Sequence, residues 1–458
     1  MRARPFVLFA LPALLLPPVP AAAQNYPVAG YVTAVEPSGA FDLEGVHIRV
    51  SPSTAWRTRT SESTSQSAPA PTSFYVGETM EAEGVFDRAT HSLTAKDIVL
   101  NPPSVASVHG LAIIDFIPPA PADQPSTDRI VRADGFFLHI TAKTKLNLAD
   151  PIKSLAGVST NQWIEYSGVQ QLDGAVLVDY AGIGPNIIKP NEQKMHAKAE
   201  YDPAAVTESS RQGAASKFFL GTDVRRVPAA HDETMQARVQ RVGESLVPAY
   251  QRALPDNDPT KLRFRFQVIE KVHRKDADAY QLSNGIIVVP REVVERLQND
   301  DQLAAILADN IAETLEKDAY RLVPAGHRMT AANLAGDAVG FVVPFAGLAT
   351  SLTTGQIGKH LVALQLEQSG RVSLDLLHDA GYDIRQAPMA YWLLASKKAT
   401  PIEQIAMPRR AATLYMTLGT TWRPPQPDSA PVSPTAAPST SPPSSPPASA
   451  TSTDSPTR

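Results

Sequence analysis

Residues 299–313 read Asn299-Asp300-Asp301-Gln302-Leu303-Ala304-Ala305-Ile306-Leu307-Ala308-Asp309-Asn310-Ile311-Ala312-Glu313. Asn299, Asp300 and Asp301 supply caps for a long helix beginning near Gln302, because their short oxygen side chains accept from the orphan N–H groups of a first turn. Asp309 and Glu313 stand four residues apart, so both fall on one face of that helix and repel there. A cation is therefore expected beside them. Lys317, four residues beyond Glu313 in the favourable order, is the nearest candidate in sequence, a pairing worth about 0.2–0.5 kcal/mol.

Outward from this helix the pattern stays helical around a short β-segment. Gln236 to Leu254 is amphipathic, with Val239, Val242, Leu246 and Tyr250 on one face. Phe264 to Ile269 alternates as a strand, and Gly285-Ile286-Ile287-Val288-Val289 reads as a buried strand. Pro290 then opens a short helix at a position where its missing N–H costs nothing. A later helix, about Lys359 to Asp379, stops at Ala380-Gly381-Tyr382-Asp383 with Gly381 as its C-terminal punctuation.

The first half differs. Val28–Val35, Val46–Val50, Met80–Phe86 and Leu93–Leu100 are short strands, with a Ser/Thr/Pro stretch from Thr60 to Thr72 expected as a loop insertion. An internal echo follows: 30–35 matches 110–114, His47-Ile48-Arg49-Val50 with Thr54 matches Leu138-His139-Ile140-Thr141 with Thr144, and 76–84 matches 161–168. The pattern resembles tandem OB-like barrel modules of exported bacterial proteins. Such barrels bind oligonucleotides or sugars. Here 42 Lys and Arg against 46 Asp and Glu leave no basic stripe, which argues against nucleic acid. Trp56, Tyr75, Trp163 and Tyr166 are expected to pack rather than to form a stacking platform.

The ends stand apart from the fold. Arg2 and Arg4, the apolar run Phe6–Leu16 and Ala21-Ala22-Ala23 read as a secretory signal, with a mature chain from about Gln24, periplasmic or secreted. From about Pro424 the chain is almost wholly Pro, Ser, Thr and Ala, a composition with nothing to bury and so expected to be disordered. Ala331–Leu352 is small and apolar but interrupted by Asp337 and Pro344, and a buried or cleft-covering hairpin is expected there in preference to membrane insertion. Zero cysteines exclude disulfides, thiolate zinc sites and a cysteine nucleophile. The divisions expected are 1–23, 24–104, 105–185, 186–231, 232–422 and 423–458: signal, two barrels, linker, helical domain and tail.

Three blocks of the helical region, Asp278–Gly285 with the strand after it, Asp301–Ala308 and Ser373–Asp383, resemble in their order the zincin metallopeptidase family that includes HtpX, the CAAX prenyl endopeptidase and the BepA-like proteases. This resemblance implies a mostly helical zincin-like metallopeptidase domain, and with the barrel-like first half the fold expected is α+β and multidomain: two small OB-like β-barrels followed by that domain. The resemblance also implies a substrate-side edge strand, which would place extended polypeptide along Gly285, Ile286, Ile287 and Val288 by main-chain bonding.

Family catalysis rests on two histidines at i and i+4 with a Glu as general base. In this register the resemblance puts Asp309 and Glu313 at the histidine positions, Asn310 at the base and Gln368 at the third ligand, with Gly370 two residues on at its acidic neighbour. Arg371 alone is retained. The ten histidines, at 47, 91, 109, 139, 196, 231, 273, 327, 360 and 378, include no pair four apart, so no HExxH exists in the chain. Metal binding lowers the pKa of water from 15.7 to about 7, on the order of 12 kcal/mol of activation, and the Asn310 amide cannot take a proton. Zinc is not expected; three oxygen donors could hold Ca²⁺ or Mg²⁺ weakly.

The expectation is thus an exported non-catalytic pseudo-peptidase that binds extended polypeptide or an envelope partner, with no nucleic acid and no membrane span in the mature chain. The alternative is an active metalloendopeptidase with an oxygen-ligand site, which requires Asp309, Glu313 and Gln368 to converge on one ion. A third reading gives the function to the barrels. The plainest reading of the locus itself is a solvated cleft lined by ordinary polar groups.

Overall fold

The first seven strands, with burial alternating along β2, β3 and β6, build one sheet: β1 Asn25–Val35, β2 Phe41–Leu43, β3 Val46–Arg49, β4 Ala55–Ser61, β5 Thr64–Ser67, β6 Thr79–Asp87 and β7 Ser92–Asn101. The strand order is β3-β2-β1-β6-β7-β4-β5, and a parallel pairing of β3 with β7 closes a ring of five strands. Inside it lie Val32, Phe41, Leu43, Ile48, Met80, Leu93 and Ile98. The stretch expected as a loop insertion instead contributes the β4–β5 hairpin, antiparallel from Arg57↔Ser67 to Ser61↔Thr64. Its Thr and Ser residues suit an exposed strand, which is why composition alone misreads it.

The second sheet repeats the scheme: β8 Ala106–Phe116, β9 Arg129–Ala133, β10 Phe136–Ile140, β11 Lys145–Leu148, β12 Gln162–Gln170 and β13 Val176–Pro185. Its order is β10-β9-β8-β12-β13-β11, closed by a parallel β10–β13 pairing. The echo between the two halves extends to single bonds. The Thr54 hydroxyl donates to Ala95 O at 2.8 Å and accepts from Ser51 N, while Thr144 donates to Val178 O at 2.8 Å and accepts from Thr141 N. Trp56 and Tyr166 are buried in the two sheets and Trp163 is half-buried, so these rings pack.

The computed structural model describes residues 25–119, 128–201, 224–272, 278–318, 320–321, 356–395 and 401–422, apart from 39, 62–63 and 103–105. The expected signal, the Ala331–Leu352 hairpin and the Pro/Ser/Thr tail lie outside them. Among the described residues no helix is long and apolar enough to cross a membrane.

Helices fill the second half: α1 Pro190–Lys198, α2 Glu233–Leu246, α3 Ala249–Ala253, α4 Arg291–Arg296, α5 Asp300–Leu315, α6 Gln356–Asp379, α7 Ala387–Leu394 and α8 Pro401–Thr420. The amphipathic stretch from 236 to 254 is two helices, not one, because Pro248 lacks the N–H that would continue the ladder; Val239, Val242, Leu246 and Tyr250 are nonetheless all buried. Asn299 caps α5, its side chain accepting from Gln302 N at 2.9 Å, an arrangement worth about 1 kcal/mol. α6 ends as expected: Gly381 takes a φ of +80°, and Tyr382 N donates to Leu377 O.

α5 is the buried axis. Every residue from Gln302 to Leu315 is buried, with α2, α6 and α7 against it and a three-stranded sheet alongside. That sheet is β14 Arg265–Ile269, β15 Tyr280–Gln281 and β16 Ile286–Pro290, in the order β14-β16-β15. The second sheet encloses its own core of Ala112, Ile114, Val131, Leu138, Ile164 and Val178, while Ile113 of β8 points the other way and joins the apolar core around α5.

Candidate functional site

A helix buried on all sides has no solvated face on which to place Asp309, Asn310 and Glu313. They retain only 3, 4 and 7 % of their exposure, and Gln368 on α6 retains 5 %. The locus is therefore not a solvated cleft. Two buried carboxylates one turn apart need a compensating cation, and it comes from α8. The Arg410 guanidinium lies 2.6 Å from Asp309 Oδ2 and 2.8 Å from Glu313 Oε1, through Nη2 to both. Its Nη1 lies 3.4 Å from Asp278 Oδ2, and its plane sits 5.0 Å from the Tyr391 ring centroid. The Tyr391 hydroxyl donates to Asp309 Oδ2 at 2.5 Å.

Burial opposes charge on Arg410, but Asp309, Tyr391, Asp278 and Glu313 together hold its pKa above the ordinary arginine value. Burial pushes the Glu313 carboxyl well above the usual range against the pull of Arg410. It also raises the Tyr391 phenol well above its usual value, which keeps that hydroxyl a donor.

Lys317 is not the cation. α5 ends at Leu315, and Lys317 lies past it with φ +55°, which carries its side chain off the helix face. Its Nζ pairs with Glu192 Oε1 of α1 at 2.8 Å and lies 5.9 Å from the Trp163 ring centroid. The Glu313–Lys317 pair is replaced by Glu313–Arg410.

Asn310 and Gln368 belong to other networks. Asn310 Nδ2 donates to Ile306 O of its own helix at 2.8 Å. Gln368 Nε2 donates to Leu111 O of β8 at 2.9 Å and to Glu316 Oε2 at 3.2 Å, while its Oε1 accepts from Arg321 Nη1 at 2.8 Å. Glu316 in turn accepts from Ile113 N of β8. Strand β8 thus lies against the helix face that would carry a third ligand. Arg371 is held the same way: its Nε donates to Asp134 O and its Nη2 to Asp134 Oδ1 at 2.6 Å, with Tyr166 OH donating to Asp134 Oδ2 at 2.7 Å. Asp134 sits in the β9–β10 turn, so the second sheet grips α6 through this residue.

Asp309 and Glu313 are brought together by one guanidinium, and Gln368 is bonded elsewhere. Among the described residues no group of three or more His, Cys, Asp or Glu side chains is arranged to hold a metal ion. The donor set fits zinc poorly in any case, since it contains no nitrogen or thiolate ligand.

Gly285, Ile286, Ile287 and Val288 are not at an edge. Strand β16 is the middle strand, parallel to β14 (Arg265↔Ile286 to Ile269↔Pro290) and antiparallel to β15 (Tyr280↔Val288, Gln281↔Ile287). Its five residues are all buried. A continuous apolar run is the mark of a strand covered on both faces, and it gave no indication of a neighbour on each side. The outer side of β14 is also occupied. The Gln236 amide spans it as a neighbouring strand would, Nε2 donating to Phe266 O at 2.7 Å and Oε1 accepting from Val268 N at 2.9 Å. Beside it runs an open groove of about 700 Å³ lined by residues including His231, Glu233, Gln240 and Arg265.

Arg410, Tyr391 and Asp278 are the site residues that sequence reasoning missed. The need for a cation was readable from the Asp309–Glu313 spacing; its source, 97 positions away, was not.

No curated protein matches the chain. The stretch from α2 through α5, β16 and α6 to the start of α7, residues 233–387 and so about a third of the chain, matches the model of a family described as Peptidase family M48, a match that ends before Arg410.

Proposed function

We propose that this chain is an exported, non-catalytic protein built on a metallopeptidase M48 framework, working by binding and not by hydrolysis. One observation carries the reading: the Arg410 guanidinium lies between Asp309 and Glu313, the two positions that a zincin uses for its metal. A guanidinium has no open coordination position and does not supply the Lewis-acid activation of water that a metal ion does. The base position holds an amide bonded to its own helix, and the third position is bonded to β8. Fold resemblance alone does not deliver function; these side-chain arrangements are what support the reading.

The strand orders of the two sheets support the OB-like reading of the first half, and both modules then act as docking or spacer elements around the helical core. The partner is extended polypeptide or an envelope protein. Its binding surface is not the enclosed strand β16; the groove beside β14 is the better fit for an extended chain. The test is turnover of casein by the purified mature chain, with and without a chelator. No chelator-sensitive cleavage is expected, and cleavage that a chelator abolishes overturns the proposal.

A further inference from the structure

α8 packs against α6, α7 and β1. Near its middle, Arg410 enters the pocket of Asp278, Asp309, Glu313 and Tyr391. Nine residues later, about 14 Å along the helix axis, Gly419 meets the first sheet backbone to backbone. A Cβ on Gly419 would lie 2.1 Å from Gly77 O, and one on Gly77 would lie 2.3 Å from Tyr415 O. The Tyr31 ring of β1 stacks on Tyr415 at 6.1 Å. Just past the helix, Thr421 O would lie 2.6 Å from a Cβ on Gly174 of the second sheet, and Trp422 packs on His378 of α6 at 4.8 Å. Two glycines facing each other across an interface allow an approach that any side chain would prevent.

We propose that α8 is an intramolecular strap, whose seating on the two sheets holds Arg410 in the acidic pocket. A helix is stiff over about two and a half turns, so displacement of its C-terminal end from Gly77 withdraws the guanidinium at its middle. Withdrawal leaves Asp278, Asp309 and Glu313 without their shared cation and opens the pocket to a cationic side chain of a bound polypeptide. The strap rests on the non-catalytic reading only in taking Arg410 as the resident cation of the pocket. A partner that engages the first sheet would thereby control the core of the helical domain.

The test is hydrogen exchange of the full chain carrying Gly419→Ala. Alanine favours helix more than glycine does, so this change strengthens α8 as a helix while breaking its contact with Gly77. Roughly tenfold faster exchange is expected at residues 309–313 as well as at 410–420. Tyr31→Ala, which removes the ring stack without a clash, is expected to act in the same direction. Gly45→Ala is the control: Gly45 has φ +75° on the same sheet with open space around it, so it adds backbone strain and leaves 309–313 unchanged. Faster exchange confined to the first sheet and the end of α8, with 309–313 unaltered in both variants, overturns the strap. Chelator-sensitive peptide cleavage by the wild-type chain would instead overturn the non-catalytic reading and leave the exchange result standing.

Discussion

The Arg410 guanidinium bridges Asp309 and Glu313 at 2.6 and 2.8 Å, joining the last described helix to the most deeply buried one. Removing one member of a buried ion pair costs about 3–5 kcal/mol, because the charge left behind loses its compensating ion and is kept from water. Arg410→Met is therefore expected to lower stability by an amount of that order in urea unfolding. Adding Asp309→Asn and Glu313→Gln to the same chain is expected to recover part of the loss, since no uncompensated carboxylate then remains at either position.

The Gln368 amide serves two neighbours of opposite character, donating to Glu316 and accepting from Arg321. Gln368→Glu, the change that restores the residue the family resemblance expects, would set a carboxylate 3.2 Å from another buried one. We expect a lowered melting temperature from it. Gln368→Ala takes one donor from Glu316 and one acceptor from Arg321 and is expected to cost about 1–3 kcal/mol.

Tyr166→Phe removes the hydroxyl that donates to Asp134 and leaves that carboxylate to Arg371 alone. A loss of about 1–3 kcal/mol is expected from a buried acceptor deprived of a donor. Because Asp134 joins the second sheet to α6, exchange protection in both should fall together.

Stability should also depend on pH in a direction opposite to the common acid-denaturation case. Burial pushes the Asp318 carboxyl up to about 7, against about 3.9 in an unfolded chain. The native state then binds this proton where the unfolded state does not, so the contribution is complete below about pH 4 and is lost as the pH rises to about 7. The slope is roughly 1.4 kcal/mol per pH unit from this group alone. Glu316, also raised by burial, adds the same sign. Asp318→Asn is expected to flatten the pH dependence of unfolding in that window and to stabilise the chain above it.

What could be read from the sequence was set by local rules. The cap at Asn299, the stop at Gly381, the buried face of Val239, Val242, Leu246 and Tyr250, and the echo of Thr54 in Thr144 all follow from contacts within a few residues or from period. What could not be read depends on distant pairing. The family resemblance implied an edge strand at Gly285–Val288, and nothing local to those residues marks the two strands, β14 and β15, that pair with β16 from separate stretches of the chain. Lys317 looked like the partner of Glu313 because helix continuation was assumed past Leu315. Arg410 carried no local mark of its role, since an arginine on a helix reads as a surface charge until the acids around it are known.

The most direct measurement is the metal content of the purified full chain after exposure to excess zinc and removal of unbound ion. The account predicts no stoichiometric zinc, in both the wild-type chain and the Asp309→Asn variant. One equivalent of zinc bound by the wild-type chain, and lost on the Asp309→Asn change, would contradict it.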